Sequence, residues 1–272
     1  MAEKKVALVT GASSGIGKAT AKQLLKDGYI VYVVARRLNK MDDLKALGAR
    51  PFIMDITKEG DILNVIGHIF EKHPSIDILI NNAGYAVYGS VEEIKIEEAR
   101  RQFEVNLFGL ARLTQLIIPK MREQGYGKIV NISSMGGKMY TPLGSWYHAT
   151  KHALEGWSDC LRLELKPFGI DVIIIEPGGI KTEFDEVMHD PLLKRSAKGP
   201  YESLAKRLAA STKSIYQDKA SSPELISSTI SDAIKSKKPK TRYVAGYMAK
   251  PSLFVRKWFG DKVFDKIIMK MG

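Results

Sequence analysis

Residues 6–17 read VALVTGASSGIG, a short apolar run followed by a glycine-rich turn and the first residues of a helical pattern. Gly11 permits a tight turn, Gly15 lets the backbone approach a phosphate group, and Gly17 lets the helix pack closely on a sheet. The start of the helix presents free N–H groups and the positive end of its dipole to an anion. The stretch therefore predicts a dinucleotide site formed by Gly11, Ser13, Ser14, Gly15, Ile16 and Gly17.

Similar apolar runs recur along the chain with little polar alternation inside them, which is typical of parallel strands buried on both faces. Amphipathic segments such as Gly17–Asp27 and Asp61–Lys72 lie between them. This alternation predicts an α/β, doubly wound Rossmann fold with a seven-stranded parallel sheet and helices on both faces. The predicted strands are Val6–Thr10, Ile30–Ala35, Pro51–Met54, Asp77–Ile80, Lys128–Ile132, Asp171–Ile175 and Thr241–Val244.

The end of the second strand indicates which dinucleotide binds. In an NAD site an acidic residue accepts a hydrogen bond from the ribose 2′-hydroxyl at this position. Here the strand ends Ala35-Arg36-Arg37, and a guanidinium group holds a 2′-phosphate with charge-assisted hydrogen bonds. We therefore predict NADP(H) as cofactor, with Arg36 as the main phosphate ligand and Arg37 beside it. Asp55 and Ile56, after the third strand, are predicted to meet the adenine edge.

The length of 272 residues, with no internal repeat or linker, predicts one nucleotide-binding domain over residues 1–272. Residues 179–222 interrupt the strand–helix rhythm, and we expect a lid or substrate loop there; the alternative is a surface excursion without a role. A basic, amphipathic tail over about residues 247–272 ends the chain.

Composition excludes several classes of protein. With 44% hydrophobic and 26% charged residues the chain has material for a core, which excludes disorder. The single cysteine, Cys160, excludes an intramolecular disulfide and a Cys-rich zinc site, and we predict no metal. The N-terminus lacks a signal-peptide pattern, and no apolar run approaches the roughly 18 residues that span a bilayer, so we expect a cytoplasmic protein.

A second group of motifs follows the later strands. These are Asn81-Asn82-Ala83-Gly84, Asn106, Ser134, the Tyr147/Lys151 pair and Pro177-Gly178. In order and spacing, including the 13 residues from Ser134 to Tyr147, they resemble the classical short-chain dehydrogenase/reductase family over about residues 5–245. The likeness is closest in style to hydroxysteroid and retinol dehydrogenases. The resemblance implies an oxidoreductase, and it adds Asn82, Ala83, Gly84, Tyr147, Lys151, Pro177, Gly178, Ile180 and Thr182 to the cofactor-binding residues.

The chemistry of these residues agrees with that implication. Hydride transfer to or from a carbonyl carbon needs a proton donor or acceptor at the oxygen, which we assign to Tyr147. Lys151 lies one helical turn away, and a unit charge at about 4 Å in an effective dielectric near 20 is worth about 4 kcal/mol. We therefore expect Lys151 to bind ribose and to lower the Tyr147 pKa, by up to about 3 units before desolvation opposes it. We expect Ser134 to polarise the carbonyl and Asn106 to hold a water that relays the proton.

The positions expected to line the substrate pocket are apolar or aromatic, which predicts a hydrophobic ketone or alcohol such as a steroid, a retinoid or a lipid-like carbonyl compound. They are Tyr85, Val87, Tyr88, Met139, Tyr140, Leu143, Trp146, Phe184, Val187, Met188, Leu192 and Leu193.

The pattern of the helix that carries Tyr147 and Lys151 also predicts that the protein forms an oligomer. Its face opposite Tyr147 is small and smooth, and we expect it to pair with a second copy, together with the neighbouring helix around Glu97–Met121, in a homodimer or homotetramer. That face consists of Ala149, Ala153, Gly156, Cys160 and Leu163. His148 and His152 are interpreted as surface residues on a polar face with Glu155, Asp159 and Arg162, not as zinc ligands.

Alternatives stay open at two points. The rival function is a catalytically idle nucleotide sensor or scaffold on the same fold, against which the complete Ser134, Tyr147 and Lys151 set argues. The last forty residues hold nine lysines and two arginines against two aspartates, a net charge of +9 out of +12 for the chain. We expect no nucleic-acid binding, because no recognition motif accompanies this charge. The tail is interpreted either as a cap on the pocket or as a peripheral anchor at a membrane surface.

Overall fold

A computed structural model describes residues 4–271, with the side chains of residues 184–187 and 271 outside the description. Seven strands form one sheet in which every paired neighbour is parallel. The strands are β1 (Val6–Thr10), β2 (Ile30–Ala35), β3 (Arg50–Ile53), β4 (Ile78–Asn81), β5 (Gly127–Ile132), β6 (Ile170–Pro177) and β7 (Arg242–Ala245).

The strand order is β3-β2-β1-β4-β5-β6-β7, so the direction of winding reverses between β1 and β4. The predicted doubly wound fold with seven parallel strands is therefore confirmed. Ligands of such sheets bind at the reversal point, outside the carboxyl ends of the strands. The loops that follow β1 and β4 both lie at that point.

Helices cover the sheet and join its strands. They are α1 (Gly15–Lys26), α2 (Asp42–Ala46), α3 (Glu59–Phe70), α4 (Ile96–Phe103), α5 (Gly109–Glu123), α6 (Ser145–Leu165), α7 (Phe184–Ser196), α8 (Glu202–Ser214), α9 (Pro223–Lys235) and α10 (Ala249–Met271). A π-helical turn over Glu104–Phe108 joins α4 to α5.

The core has two layers, one on each face of the sheet, because successive strand residues point to opposite faces. Val9 and Val33 belong to the layer that packs under α1 and α9. Leu8 and Val34 belong to the opposite layer, under α3, α5 and α6. Both faces are buried, which explains why the strands lack polar alternation in the sequence.

The strand boundaries agree closely with prediction: β1 and β2 match, and the other five shift by one or two residues. Residues 179–222 form two helices, α7 and α8, where we expected a loop. The tail is helical, and it breaks at Gly260, where φ is 70° and ψ is 179°. Glycine suits that backbone conformation because it has no Cβ.

Candidate active site

A cavity of about 810 Å³ opens at the carboxyl ends of the central strands. This volume is in the range of cofactor and ligand sites. Every predicted cofactor-binding residue except Gly17 lines the cavity, and so does Ser134. Gly17 and Asn106 lie outside its wall.

The glycine turn forms a cradle that side chains would obstruct. Gly11 has a φ of 66°, and a Cβ there would lie 2.9 Å from the Cα of Ala83. A Cβ on Gly17 would lie 2.5 Å from the carbonyl oxygen of Gly11, so Gly17 shapes the turn from behind the cavity. The backbone at the start of α1 therefore stays open to a phosphate group, as a dinucleotide requires.

The loop after β4 is fixed onto this turn by Thr10. The Thr10 hydroxyl accepts the N–H groups of Asn82 at 2.9 Å and Ala83 at 3.0 Å. In return, the Asn82 side-chain amide donates to the carbonyl oxygens of Thr10 and Gly11, at 3.0 and 3.2 Å. These bonds hold the two loops of the reversal point as one unit.

At the β2 end of the cavity the two arginines have different surroundings. Nη2 of Arg37 donates to the hydroxyls of Ser13 at 3.1 Å and Ser14 at 3.4 Å, and to the carboxylate of Glu183 at 2.9 Å. Arg36 lines the same wall with its side chain exposed. The hydrogen bond from Arg37 lowers the pKa of Glu183 and keeps that carboxylate charged. Sequence reasoning missed Glu183, because it lies 146 residues from its partner in the chain.

Asp55 is oriented by its own loop. Its Oδ1 accepts the backbone N–H of Thr57 at 3.1 Å and the Thr57 hydroxyl at 2.8 Å. Both Asp55 and Ile56 lie on the cavity wall, where they were predicted to meet an adenine. Together with the glycine cradle and the arginine pair, these residues fit a nicotinamide dinucleotide.

The hydroxyls of Ser134 and Tyr147 are hydrogen-bonded to each other inside the cavity. Ser134 follows β5, and its Oγ also accepts the backbone N–H of Gly136 at 3.0 Å. Tyr147 and Lys151 project from the same face of α6, and each is only 8% exposed. The structure thus brings together the three residues whose chemistry was predicted.

The prediction that the protein's own side chains lower the pKa of Tyr147 is wrong. Burial raises the pKa of Tyr147 to about 12, and the hydrogen bond with Ser134 only partly offsets it. Nζ of Lys151 donates to the carbonyl oxygen of Ile132 at 2.8 Å. Burial lowers the pKa of Lys151 to about 8, so the amine is still mostly charged at neutral pH. The i, i+4 spacing predicts the shared helix face, whereas the extent of desolvation depends on the elements that pack over both groups.

Asn106 lies in the π-helical turn, a distortion that is frequent at functional sites. Its Oδ1 accepts the backbone N–H of Tyr85 at 3.0 Å, and its Nδ2 donates to the Tyr85 carbonyl at 2.9 Å and to Thr150 Oγ1 at 3.1 Å. The side chain therefore ties the loop after β4 to α6. The proton-relay role stays a prediction.

The interpretation of His148 as a surface residue is wrong; its side chain is only 6% exposed. Nδ1 lies 2.9 Å from the Gly136 carbonyl oxygen, and Nε2 accepts the Thr141 backbone N–H at 3.0 Å. A carbonyl can only accept, so the proton is assigned to Nδ1. Burial lowers the pKa of His148 to about 4, so the ring is neutral.

Two other residues of the predicted polar face, His152 and Glu155, differ in their exposure to solvent. His152 is exposed, as predicted, whereas Glu155 is buried and only 2% exposed. The exposure of His148 and Glu155 was predicted wrongly for one reason. A helical wheel shows only the helix itself, whereas here residues 136–141 fold over one side of α6. Within residues 4–271, no group of three or more His, Cys, Asp or Glu side chains is placed to hold a metal ion.

The far end of the cavity is largely apolar. Tyr85, Val87, Tyr88, Met139 and Met188 line it as predicted, and so do Leu208, Ile215, Met248 and Ile268, which sequence reasoning missed. Five other predicted residues lie off the wall. Leu143, Leu192 and Leu193 pack in a neighbouring apolar cluster. Trp146 packs against a second, smaller cluster, and Tyr140 faces the C-terminal tail. The side chains of Phe184 and Val187 lie outside the described residues.

Comparison with known proteins agrees with this geometry. The sequence model of a family described as short chain dehydrogenase matches residues 5–191. A probable short-chain type dehydrogenase/reductase, VdlC, from Helicobacter pylori is 35% identical over 269 residues, which cover 97% of this chain and 98% of the relative.

Two further relatives extend over nearly the whole chain. An NADPH-dependent 3-dehydrocapnine reductase from Ornithobacterium rhinotracheale is 32% identical over 285 residues, covering 98% of this chain and 96% of the relative. The crystal structure of a short-chain dehydrogenase from Streptomyces avermitilis superposes with a TM-score of 0.84 at 34% identity, covering 98% of this chain and 96% of that one.

Proposed function

The chain belongs to the short-chain dehydrogenase/reductase family of oxidoreductases, and on that premise we propose that it is an NADP(H)-dependent enzyme that interconverts a hydrophobic ketone and its alcohol. One observation carries the proposal: the hydroxyls of Ser134 and Tyr147 and the ammonium of Lys151 lie in the same cavity as the glycine cradle and the arginine pair.

Each residue of the cavity has a separate role in the proposed reaction. When bound, the nicotinamide nucleotide supplies or accepts the hydride at the substrate carbon. Tyr147 holds a proton on its phenol oxygen and gives it to the carbonyl oxygen of the ketone, or takes it back from the alcohol. Ser134 donates a hydrogen bond to the same carbonyl oxygen, and its position is set by the N–H of Gly136.

The preference for NADP(H) over NAD(H) rests on charge. Arg36 and Arg37 bring two positive charges to the wall at the end of β2, where an NAD site would carry a carboxylate. A relative that matches nearly the whole chain carries "NADPH-dependent" in its name. Both observations support the proposal that the 2′-phosphate is recognised here.

The substrate class rests on the apolar far wall. Met139, Met188, Leu208 and Ile215 offer hydrocarbon surface next to the Ser134–Tyr147 pair. A lipid-like ketone would bury its chain against this wall, at a gain of about 25 cal/mol for each Å² removed from water. The name of one relative, a 3-dehydrocapnine reductase, supports a substrate that is reduced by the enzyme.

The test is a panel of ketones assayed with NADPH and with NADH, following the absorbance of the reduced nicotinamide. The panel contains long-chain 3-keto lipids, a ketosteroid and retinal, and short polar ketones serve as the matched comparison. We expect turnover with NADPH to rise with the apolar area of the substrate. Faster turnover of the polar ketones, or a preference for NADH, would contradict the proposal.

A further inference from the structure

The C-terminal helix α10 has two sides with different surroundings. Its first half, residues 249–259, and its second half, residues 261–271, meet at Gly260. One side of each half packs on the body of the protein, whereas the other side carries large side chains that no described element covers.

The inward side is docked beside the active site. Phe264 is 1% exposed, and its ring meets that of Tyr140 edge-on with 5.3 Å between centroids. The Tyr140 hydroxyl donates to Asp265 at 2.8 Å, and the guanidinium of Arg256 lies 5.1 Å from the Tyr140 ring. Ile268 reaches the cavity wall. This side of the tail therefore caps the cavity, in agreement with one of the two interpretations of the sequence.

The outward side of the first half is an aromatic patch, which we define as Phe254, Trp258 and Phe259. These side chains are 58%, 66% and 55% exposed. Phe254 contacts both of the others, with ring centroids 6.5 Å from Trp258 and 6.1 Å from Phe259. Three adjoining aromatic rings in water mark an interaction surface rather than the isolated apolar residues that normal surfaces carry.

Lysines surround this patch. Nζ of Lys257 lies 5.1 Å from the Trp258 ring, and Lys250 is exposed on the same half of the helix. The second half adds three more exposed lysines, Lys262, Lys266 and Lys270. Both acidic side chains of the tail already have partners, because Asp261 pairs with Arg256 at 2.6 Å and Asp265 accepts from Tyr140.

We propose that the aromatic patch and its lysines bind the surface of an anionic lipid bilayer. Aromatic rings insert at the boundary between headgroups and acyl chains, while lysines contact anionic headgroups. A second copy of the chain fits less well, because a two-fold interface would bring the lysines of one copy against the same lysines of the other, and like charges repel. In the described part of the chain no helix is long and apolar enough to cross a membrane.

This contact places a lipid surface beside the cavity, because the same helix lines the cavity through Ser252 and Ile268. A lipid-soluble ketone would then pass from the bilayer to the active site without crossing water. That route rests on the proposed function, whereas binding to the bilayer does not.

Sedimentation of the full-length protein with lipid vesicles tests the proposal without any enzyme assay. Vesicles of phosphatidylcholine alone are compared with vesicles of phosphatidylcholine and phosphatidylglycerol, at low and at high salt. We expect binding to the anionic vesicles that weakens with salt. Absence of binding to anionic vesicles at low salt would overturn the proposal, whatever the outcome of the ketone assays.

Two pairs of variants locate the contact. Phe254→Ser with Trp258→Ser should abolish sedimentation, whereas Leu47→Ser, which alters a 58% exposed residue far from the tail, should not. Lys250→Gln with Lys257→Gln should weaken binding roughly 25-fold, at about fivefold for each lysine near the surface. The matched pair Lys45→Gln with Lys72→Gln makes the same change in net charge elsewhere.

Circular dichroism and NADPH binding verify that each variant is folded. Equal loss of sedimentation in the tail variants and their controls would overturn the proposal, because binding would then follow overall charge or hydrophobicity. It would also be overturned if Phe254→Ser with Trp258→Ser left sedimentation unchanged, or converted an oligomer that does not bind vesicles into a monomer. The last result would assign the patch to contact between copies.

Discussion

At the scale of single residues, the two arginines after β2 line the same end of the cavity but have different partners. Arg37 is held by Ser13, Ser14 and Glu183, whereas Arg36 is exposed on the cavity wall. A guanidinium already paired with a carboxylate has less to gain from a second anion. Arg36 therefore remains our choice of main ligand for the 2′-phosphate.

We predict that Arg36→Ala weakens NADPH binding by about 1.5–3 kcal/mol, the usual loss for one charged hydrogen-bonding partner. Binding of NADH should change little. Arg37→Ala should have a smaller effect on NADPH, and Glu183→Gln should strengthen NADPH binding because a negative charge leaves the site. Fluorescence titration of the four proteins with both nucleotides measures these constants. A loss for NADH equal to that for NADPH in Arg36→Ala would exclude a 2′-phosphate role.

His148 is a positioning residue for Ser134. Its ring bridges the Gly136 carbonyl and the Thr141 N–H, and the N–H of Gly136 in turn donates to Ser134 Oγ. Removal of the imidazole leaves two buried backbone groups without this partner and loosens the turn that holds Ser134. Misplacement of a catalytic group by about 1 Å can cost on the order of a hundredfold in rate.

We therefore expect His148→Phe to lower kcat by tenfold or more, within that bound, while NADPH binding stays near the wild-type value. His148→Asn keeps a side-chain N–H donor for the Gly136 carbonyl and should recover part of the loss. Steady-state kinetics and nucleotide titration of both variants provide the comparison. An unchanged kcat in His148→Phe would show that the imidazole does not position Ser134.

At the scale of elements, α6, β6 and β7 meet around two buried carboxylates. Glu155 and Glu176 are each 2% exposed, and Arg242 lies 3.0 Å from the first and 3.2 Å from the second. Burial and the neighbouring charge of Glu155 raise the pKa of Glu176 to about 7, so the folded protein holds a proton that the unfolded chain releases near pH 4.5. Stability from this group therefore falls as the pH rises from about 4.5 to 7.

Glu176→Gln should remove this part of the pH dependence. We expect the variant to equal the wild type near pH 5 and to exceed it by about 1–3 kcal/mol near pH 8 in the free energy of unfolding. Urea titrations at both pH values measure the difference, with Glu123→Gln, an exposed change, as control. Parallel pH curves for Glu176→Gln and wild type would contradict the assignment.

The elements also show where sequence reasoning succeeds. The seven strands were predictable because burial of both faces leaves a short uninterrupted apolar run for each of them. The burial of His148 was not, because it depends on a loop that packs over α6 from outside that helix. The tail left two interpretations open for a similar reason: its periodicity shows two sides but not which of them meets the cavity.

At the scale of the whole molecule, the outward face of α6 predicts assembly. Leu163 is 63% exposed, Ala149, Gly156 and Cys160 are also exposed, and Phe108 of the neighbouring π-helical turn is 54% exposed. We propose a two-fold pairing of these faces, which would cover the apolar surface.

Ala153→Arg should convert the protein to a monomer in light scattering, whereas Ala46→Arg, at an exposed position on α2, should not. A wild-type protein that already runs as a monomer would refute the pairing.

The most direct test of the account is Tyr147→Phe, which removes one phenol oxygen and keeps the ring that packs against Tyr88 and His148. With NADPH and the best ketone of the panel, we predict that turnover falls by about 10²–10⁴-fold, the usual contribution of a positioned acid–base group. NADPH affinity should stay near the wild-type value, and Tyr126→Phe, outside the cavity, should leave both quantities unchanged. Turnover of Tyr147→Phe within a few-fold of the wild type would contradict the assignment of Tyr147 as the proton donor.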